Sequence, residues 1–132
     1  MRNLCAIALA LALCSCITAE AVKTQNRSRL AELSIGMNKA EVLRAMGTET
    51  IQVFDRVSGL PSEKINNPYR TEAYQAGGHR WEILFYYTDL KADDGAITDD
   101  ELTPLVIKDG MLDGWGWSYW QGVTQTYEIR VR

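Results

Sequence analysis

The sequence predicts an α+β fold, with two short N-terminal helices packed on one face of an antiparallel β-sheet. Three observations lead there. Residues 28–35 and 38–46 carry apolar side chains at helical spacing, and each stretch is followed by a glycine. Residues 50–57, 70–76, 80–88, 104–108 and 111–117 favour the two-residue alternation of strands instead. Gly77-Gly78 and Asp109-Gly110 separate successive strand patterns at hairpin spacing.

The elements follow in order. Leu30 and Leu33 share one face of the first helical stretch, and Gly36 stops it. Asn38 is placed as the N-cap of the second helix and Glu41 as its third residue, a variant of the capping box. Met37 and Val42 flank that box as a hydrophobic staple. Val42, Leu43 and Met46 form the apolar stripe, and Gly47 supplies a left-handed stop. Ile51 and Val53 lie on one face of the first strand. Gly59, Pro61, Asn66, Asn67 and Pro68 mark residues 58–68 as a loop. In residues 80–88, Trp81, Ile83, Phe85 and Tyr87 alternate with Arg80, Glu82, Leu84 and Tyr86, the clearest strand of the chain. The Asp109-Gly110 hairpin fits either a two-residue turn or a three-residue turn with a bulge. Residues 118–125 fit a helical turn or further strand. Tyr127, Ile129 and Val131 then alternate with charged residues as a final strand. Helices on one face leave the other face of such a sheet partly open.

Ahead of this domain, Arg2 precedes an uncharged stretch over residues 4–19. A spanning helix needs about 20 predominantly apolar residues, so this stretch is too short to cross a membrane. Its basic start, apolar middle and small residues have the anatomy of an export signal. Leu13, Ser15 and Cys16 resemble the lipobox of bacterial lipoproteins, from which Cys14 departs. That resemblance implies removal of residues 1–15 as a signal peptide and acylation of Cys16. Residues 16–27 then read as a flexible tether and 28–132 as the domain. An ordinary secretory signal cut at Ala19 or Ala21 is the alternative. The cysteines are Cys5, Cys14 and Cys16 alone. Cleavage before Cys16 therefore leaves no disulfide, no thiol nucleophile and no thiolate metal site. Ile17, rather than aspartate, follows Cys16. By similarity to lipoprotein sorting this implies the periplasmic face of the outer membrane.

The 14 basic and 17 acidic side chains give a net charge of −3, which becomes −4 when Arg2 leaves with the signal. A mildly acidic chain lacks the basic stripe that nucleic acid requires. It also lacks the charge for electrostatic docking on anionic lipid, so the acyl chains would do the holding.

Leu30, Gly36-Met37, Asn38, Glu41-Val42 and Gly47 together resemble the helix-pair signature of the BamE/SmpA/OmlA outer-membrane lipoproteins. Tyr86-Tyr87-Thr88-Asp89, residues 99–106 and Gly114-Trp115-Gly116-Trp117 are similar to small lipoproteins grouped near that family. The resemblance covers most of residues 30–117. It implies two helices on a small antiparallel sheet, a lipid on Cys16 and no further cofactor. It also implies a non-catalytic binding or scaffolding role in outer-membrane protein assembly or envelope integrity, with a periplasmic or outer-membrane protein as partner. The C-terminal part is longer than in that family, and the family's partner-contacting residues have no match here. Beta-lactamase inhibitor proteins share the architecture, which keeps inhibition of a periplasmic enzyme as an alternative.

Three groups of residues are candidates for chemistry. Trp117, Tyr119, Trp120 and Tyr69 are candidate partner-binding residues, for a protein or, alternatively, a glycan. Large rings also fill the cores of small domains, the reading preferred for Trp81 and Trp115. Gly114 and Gly116 would let a ring or backbone approach closely. In the acidic loop 89–101, Asp94 and Glu101 fall at ligand positions of an EF-hand-like pattern centred on Gly95. Leu90 and Ala92 occupy two positions where oxygen ligands belong, so a solvated loop is the simpler reading. His79, the only histidine, sits beside a Gly-Gly turn, where an exposed turn residue is expected. With no free thiol, no multi-histidine site and no Gly-x-Ser-x-Gly elbow, the sequence predicts no catalytic residues.

Overall fold

A computed structural model describes residues 16–91 and 96–131 of the chain. The fold is α+β. The expected capping box is present at Asn38. Its Oδ1 accepts the Glu41 N–H at 2.9 Å, and the Glu41 carboxylate accepts the Asn38 N–H at 2.9 Å. The box starts helix α2 (Lys39–Met46), whose Val42 and Met46 are fully buried. Gly47 ends α2 at φ +89°, with an extended ψ of 157° rather than the left-handed helical stop expected. A side chain there would overlap the Glu49 carboxylate and the Arg29 guanidinium.

The N-terminal region differs from its sequence reading. Residues 16–27 do not form a tether, and the ordered domain does not begin at residue 28. Helix α1 (Ala19–Arg29) occupies this region, and a single 3-10 turn (Leu30–Glu32) continues it. Thr18 caps α1, with its Oγ1 accepting the Ala21 N–H at 3.2 Å. Only Val22 and Asn26 are buried along α1, too few apolar positions to register as a stripe. Polar groups hold the helix instead. The Asn26 amide donates to Asn67 Oδ1 and to the Tyr87 carbonyl, both at 2.9 Å, and accepts from Asn67 Nδ2 at 3.1 Å. Arg27 Nε donates to the Thr88 carbonyl at 3.0 Å and Arg29 to the Met46 carbonyl at 2.8 Å.

Among the described residues, six strands form two antiparallel sheets. Strands β1 (Thr50–Phe54) and β2 (Pro61–Asn66) make a two-stranded hairpin. Strands β3 (Arg70–Ala76), β4 (His79–Tyr87), β5 (Leu102–Lys108) and β6 (Met111–Trp115) make a meander in that order. Strand β2 lies where a loop was expected. Its Pro61 sits at the first position of the strand, where a missing N–H is tolerated, and Ile65 is buried. Asp109 and Gly110, at φ +49° and +83°, form a two-residue turn between paired Lys108 and Met111. A bulge follows further along: Val106 pairs Gly114 and Ile107 pairs Leu112, leaving Asp113 as the extra residue.

The four-stranded sheet is covered on both faces, not on one. Leu84, Tyr86, Leu105, Ile107 and Leu112 face Leu33, Val42 and Met46, as expected of the helix pair. Trp81, Ile83, Phe85, Tyr87 and Val106 form the other core with Val22 of α1, with Val53 and Ile65 of the two-stranded hairpin, and with a third helix. That helix, α3 (Trp117–Thr126), settles residues 118–125 as helical and brings in Trp120 and Val123. Among the described residues, no final strand follows it. The Tyr127 and Ile129 N–H groups bond back to the carbonyls of Val123 and Thr124, at 3.0 and 2.9 Å, and Glu128 takes φ +53°. The chain therefore turns over the end of α3 instead of extending.

Candidate functional site

The β6 bulge and helix α3 build the most organised surface feature. An extra residue in a ladder re-aims its side chain, and here it presents Asp113 to the Tyr119 hydroxyl, which donates to Asp113 Oδ2. Gly114 makes room for this, because any side chain there would meet the Tyr119 ring at 2.6 Å. The close ring approach expected at Gly114 is thus made by Tyr119. Burial, and then the adjacent Asp113 carboxylate, push the Tyr119 hydroxyl up to about 12. It therefore remains a hydrogen-bond donor at neutral pH.

A groove of about 350 Å³ runs beside this pair, lined by Trp81, Asp113, Tyr119, Gly122, Val123 and Tyr127, among others. Gly122 leaves open space on the α3 side. Tyr127 rests on Gly77, where a side chain would meet its ring at 2.3 Å, and its centroid lies 4.9 Å from that of Trp81. His79 stands edge-on to Tyr127 and Trp81, at 6.0 and 6.1 Å between centroids. Lys108 Nζ lies over the same two rings, 5.4 Å from Trp81 and 5.8 Å from Tyr127. His79 Nδ1 is 2.6 Å from Asp109 Oδ2. The Arg80 N–H, and then the His79 ring, hold the Asp109 carboxyl below its ordinary value. Rings, a fixed carboxylate and the nearby Lys108 ammonium are groups that bind a partly apolar, hydrogen-bonding ligand or segment.

The predicted partner-binding residues do not converge on one face. Tyr119 lines the groove. Trp120 is 1% exposed and packs 5.8 Å from Tyr74, so its ring belongs to the core and not to an open face. Strand alternation could not place it, because it lies on a helix. Its indole N–H has no acceptor among the described residues. Trp117 is half-buried, donates to the Leu102 carbonyl at 2.8 Å and packs 5.8 Å from Phe85. Tyr69 is also half-buried and pairs through its N–H with the Phe85 carbonyl at 2.7 Å. Trp81 is a core ring as expected, whereas Trp115 is half-buried against the second cluster. The sequence reading passed over Asp113 and Tyr127. Asp113 has a local signal in Gly114, which receives the Tyr119 ring, whereas Gly77, which receives the Tyr127 ring, lies far from it in sequence.

The acidic loop is held from within. Glu101 is 1% exposed, and its two carboxylate oxygens accept the Lys91 and Thr98 N–H groups at 3.0 and 2.8 Å. Those bonds occupy the oxygens that the calcium reading required, so Glu101 clamps the loop. Asp94 lies outside the described residues. Among the described residues, no group of three or more His, Cys, Asp or Glu side chains could hold a metal ion, and no helix is long and apolar enough to cross a membrane. Cys16 is exposed. One residue on, the Ile17 carbonyl accepts the Phe54 N–H at 2.9 Å.

The chain belongs to the family described as Protein of unknown function (DUF3192), whose profile matches residues 15–121. The match takes in Cys16, α1, α2, both sheets and the first half of α3. No curated protein and no solved structure matches the chain.

Proposed function

We propose that this family member is a lipoprotein anchored through Cys16 to the periplasmic face of the outer membrane. There it acts by contact alone, as a binding or scaffolding domain in outer-membrane protein assembly or envelope integrity. The observation that carries the reading is how the residues just after Cys16 are attached: Ile17 is bonded to β1 and Thr18 caps α1, and the family match reaches back to residue 15. A signal cut at Ala19 or Ala21 would remove both attachments, whereas a cut before Cys16 preserves them. The BamE/SmpA/OmlA-like helix pair is consistent with this role. The groove at Tyr119, Tyr127 and Asp113 is the surface on which a partner would dock.

The test is crosslinking of the lipidated protein in whole cells, with mass spectrometry of the captured partners and a Cys16→Ala control. Recovery of outer-membrane assembly components, lost in the control, is the expected result. Recovery of one soluble periplasmic enzyme from both forms would replace scaffolding with inhibition. The aromatic groove with its carboxylate also suits a sugar ring, which rings stack on and carboxylates hydrogen-bond. Titration with peptidoglycan fragments, read by tryptophan fluorescence, tests that second reading. An unchanged, unsaturable signal removes it.

A further inference from the structure

Three exposed apolar side chains lie on chain segments that the backbone joins next to Cys16. Ile17 is 43% exposed, Val57 96% and Leu60 64%. They are neighbours through the backbone. The Ile17 carbonyl bonds Phe54 at the last position of β1, and Val57 and Leu60 sit in the turn that joins β1 to β2. This turn is fixed. Asp55 N–H donates to the Leu60 carbonyl and Gly59 N–H to the Asp55 carbonyl, both at 2.9 Å. The Asp55 carboxylate accepts the Val57 and Ser58 N–H groups at 3.0 and 2.6 Å. That folds the turn's only carboxylate back onto its own backbone, while Arg56 is exposed. An ordered turn thus exposes Val57 and Leu60, with the exposed basic Arg56 next to Val57 in the chain.

We infer that this turn, with Val57, Leu60 and Ile17, is a membrane-contacting surface that seats in the interfacial layer of the bilayer. The inference rests on the lipid-anchor reading of Cys16. Only Cys16 itself separates acyl chains on its sulfur from the pinned Ile17, and one residue spans at most about 3.6 Å. An anchor so close holds the adjoining surface against the headgroups, where apolar side chains enter the acyl boundary and a basic one meets lipid phosphate. The occupant is therefore lipid.

The test uses the full-length chain with Val57→Cys, expressed with its signal and purified from membranes. Position 57 is nearly fully exposed, so the change leaves the core intact. The new thiol is labelled with an environment-sensitive dye, and the protein is reconstituted in phosphatidylethanolamine–phosphatidylglycerol vesicles. Gln75→Cys, exposed on β3, is the control site. Intact mass reads the acyl chains on Cys16 independently. The expected result is an acylated protein whose dye at 57 shifts to the blue and is quenched by headgroup-level nitroxide lipid, while the dye at 75 reports water. Acylation with a water-like signal at 57 overturns the surface and leaves the anchor standing. Absence of acyl mass overturns the anchor, and the surface with it.

Discussion

Helices α1 and α2 pack on one domain by different means. Helix α2 contributes Val42 and Met46 to one core cluster and is started by a reciprocal capping box. Helix α1 contributes Val22 to the other cluster, and its second buried residue is an asparagine. Its docking runs through a paired amide with Asn67 and through guanidinium bonds to the Thr88 and Met46 carbonyls. Burial drives the attachment of α2. In α1, hydrogen bonding specifies the attachment, because a buried amide is tolerated only where its partners are met.

This difference sets the order of mutational effects. Met46→Ala removes a fully buried side chain and leaves a cavity beside Leu84 and Leu105. It should cost about 2–5 kcal/mol, read as a lower urea midpoint with an unchanged slope. Asn26→Leu removes the buried bonds to the Asn67 amide and the Tyr87 carbonyl, at a cost of about 1–3 kcal/mol. Its signature should be local: α1 amides lose hydrogen-exchange protection while those of β4 and β5 keep theirs. A double-mutant cycle of Asn26→Ala with Asn67→Ala should show coupling of about 0.5–3 kcal/mol. Simple additivity would mean that the amide pair contributes no shared energy.

Smaller effects belong to the helix ends. Asn38→Ala removes the α2 cap and should cost about 1 kcal/mol in thermal or chemical unfolding. The smallest effect lies just beyond α1. The Lys91 ammonium at 2.8 Å, then the Leu90 N–H and the Arg27 guanidinium, bring the Asp89 carboxyl down to about 2. Its folded value lies below its unfolded one. Its contribution is therefore full above the unfolded value, near 4, and is lost as pH falls toward 2. In that window Asp89→Asn should lose stability less steeply than the parent chain. The slope difference will be slight, since these charges face solvent.

The same contrast explains what could be read from the chain. Helix α2, β4 and the Asp109-Gly110 hairpin announce themselves through local signals: a cap three residues before a glutamate, strict alternation, a turn dipeptide. Helix α1 has no such signal, because the groups that order it, Asn67 and Tyr87, lie far along the sequence. Strand β2 was hidden by Pro61 and by a single buried position, Ile65. At the groove, Gly114 promised a close approach, but the identity of the ring depended on the bulge that aims Asp113. Alternation along β6 does not foretell a bulge, and Tyr127 reaches Gly77 only through the folded chain.

The order of pairing along the chain also has a kinetic consequence. Every strand of the meander pairs with its immediate successor, so the sheet can zip from one hairpin to the next. The partners of Asn26 lie 41 and 61 residues downstream. Closing loops of that length costs more chain entropy than closing a hairpin and slows the step. The Asn26 bonds to Asn67 and Tyr87 therefore form after the β3–β4 hairpin, and this part of α1 is seated against strands that are already paired.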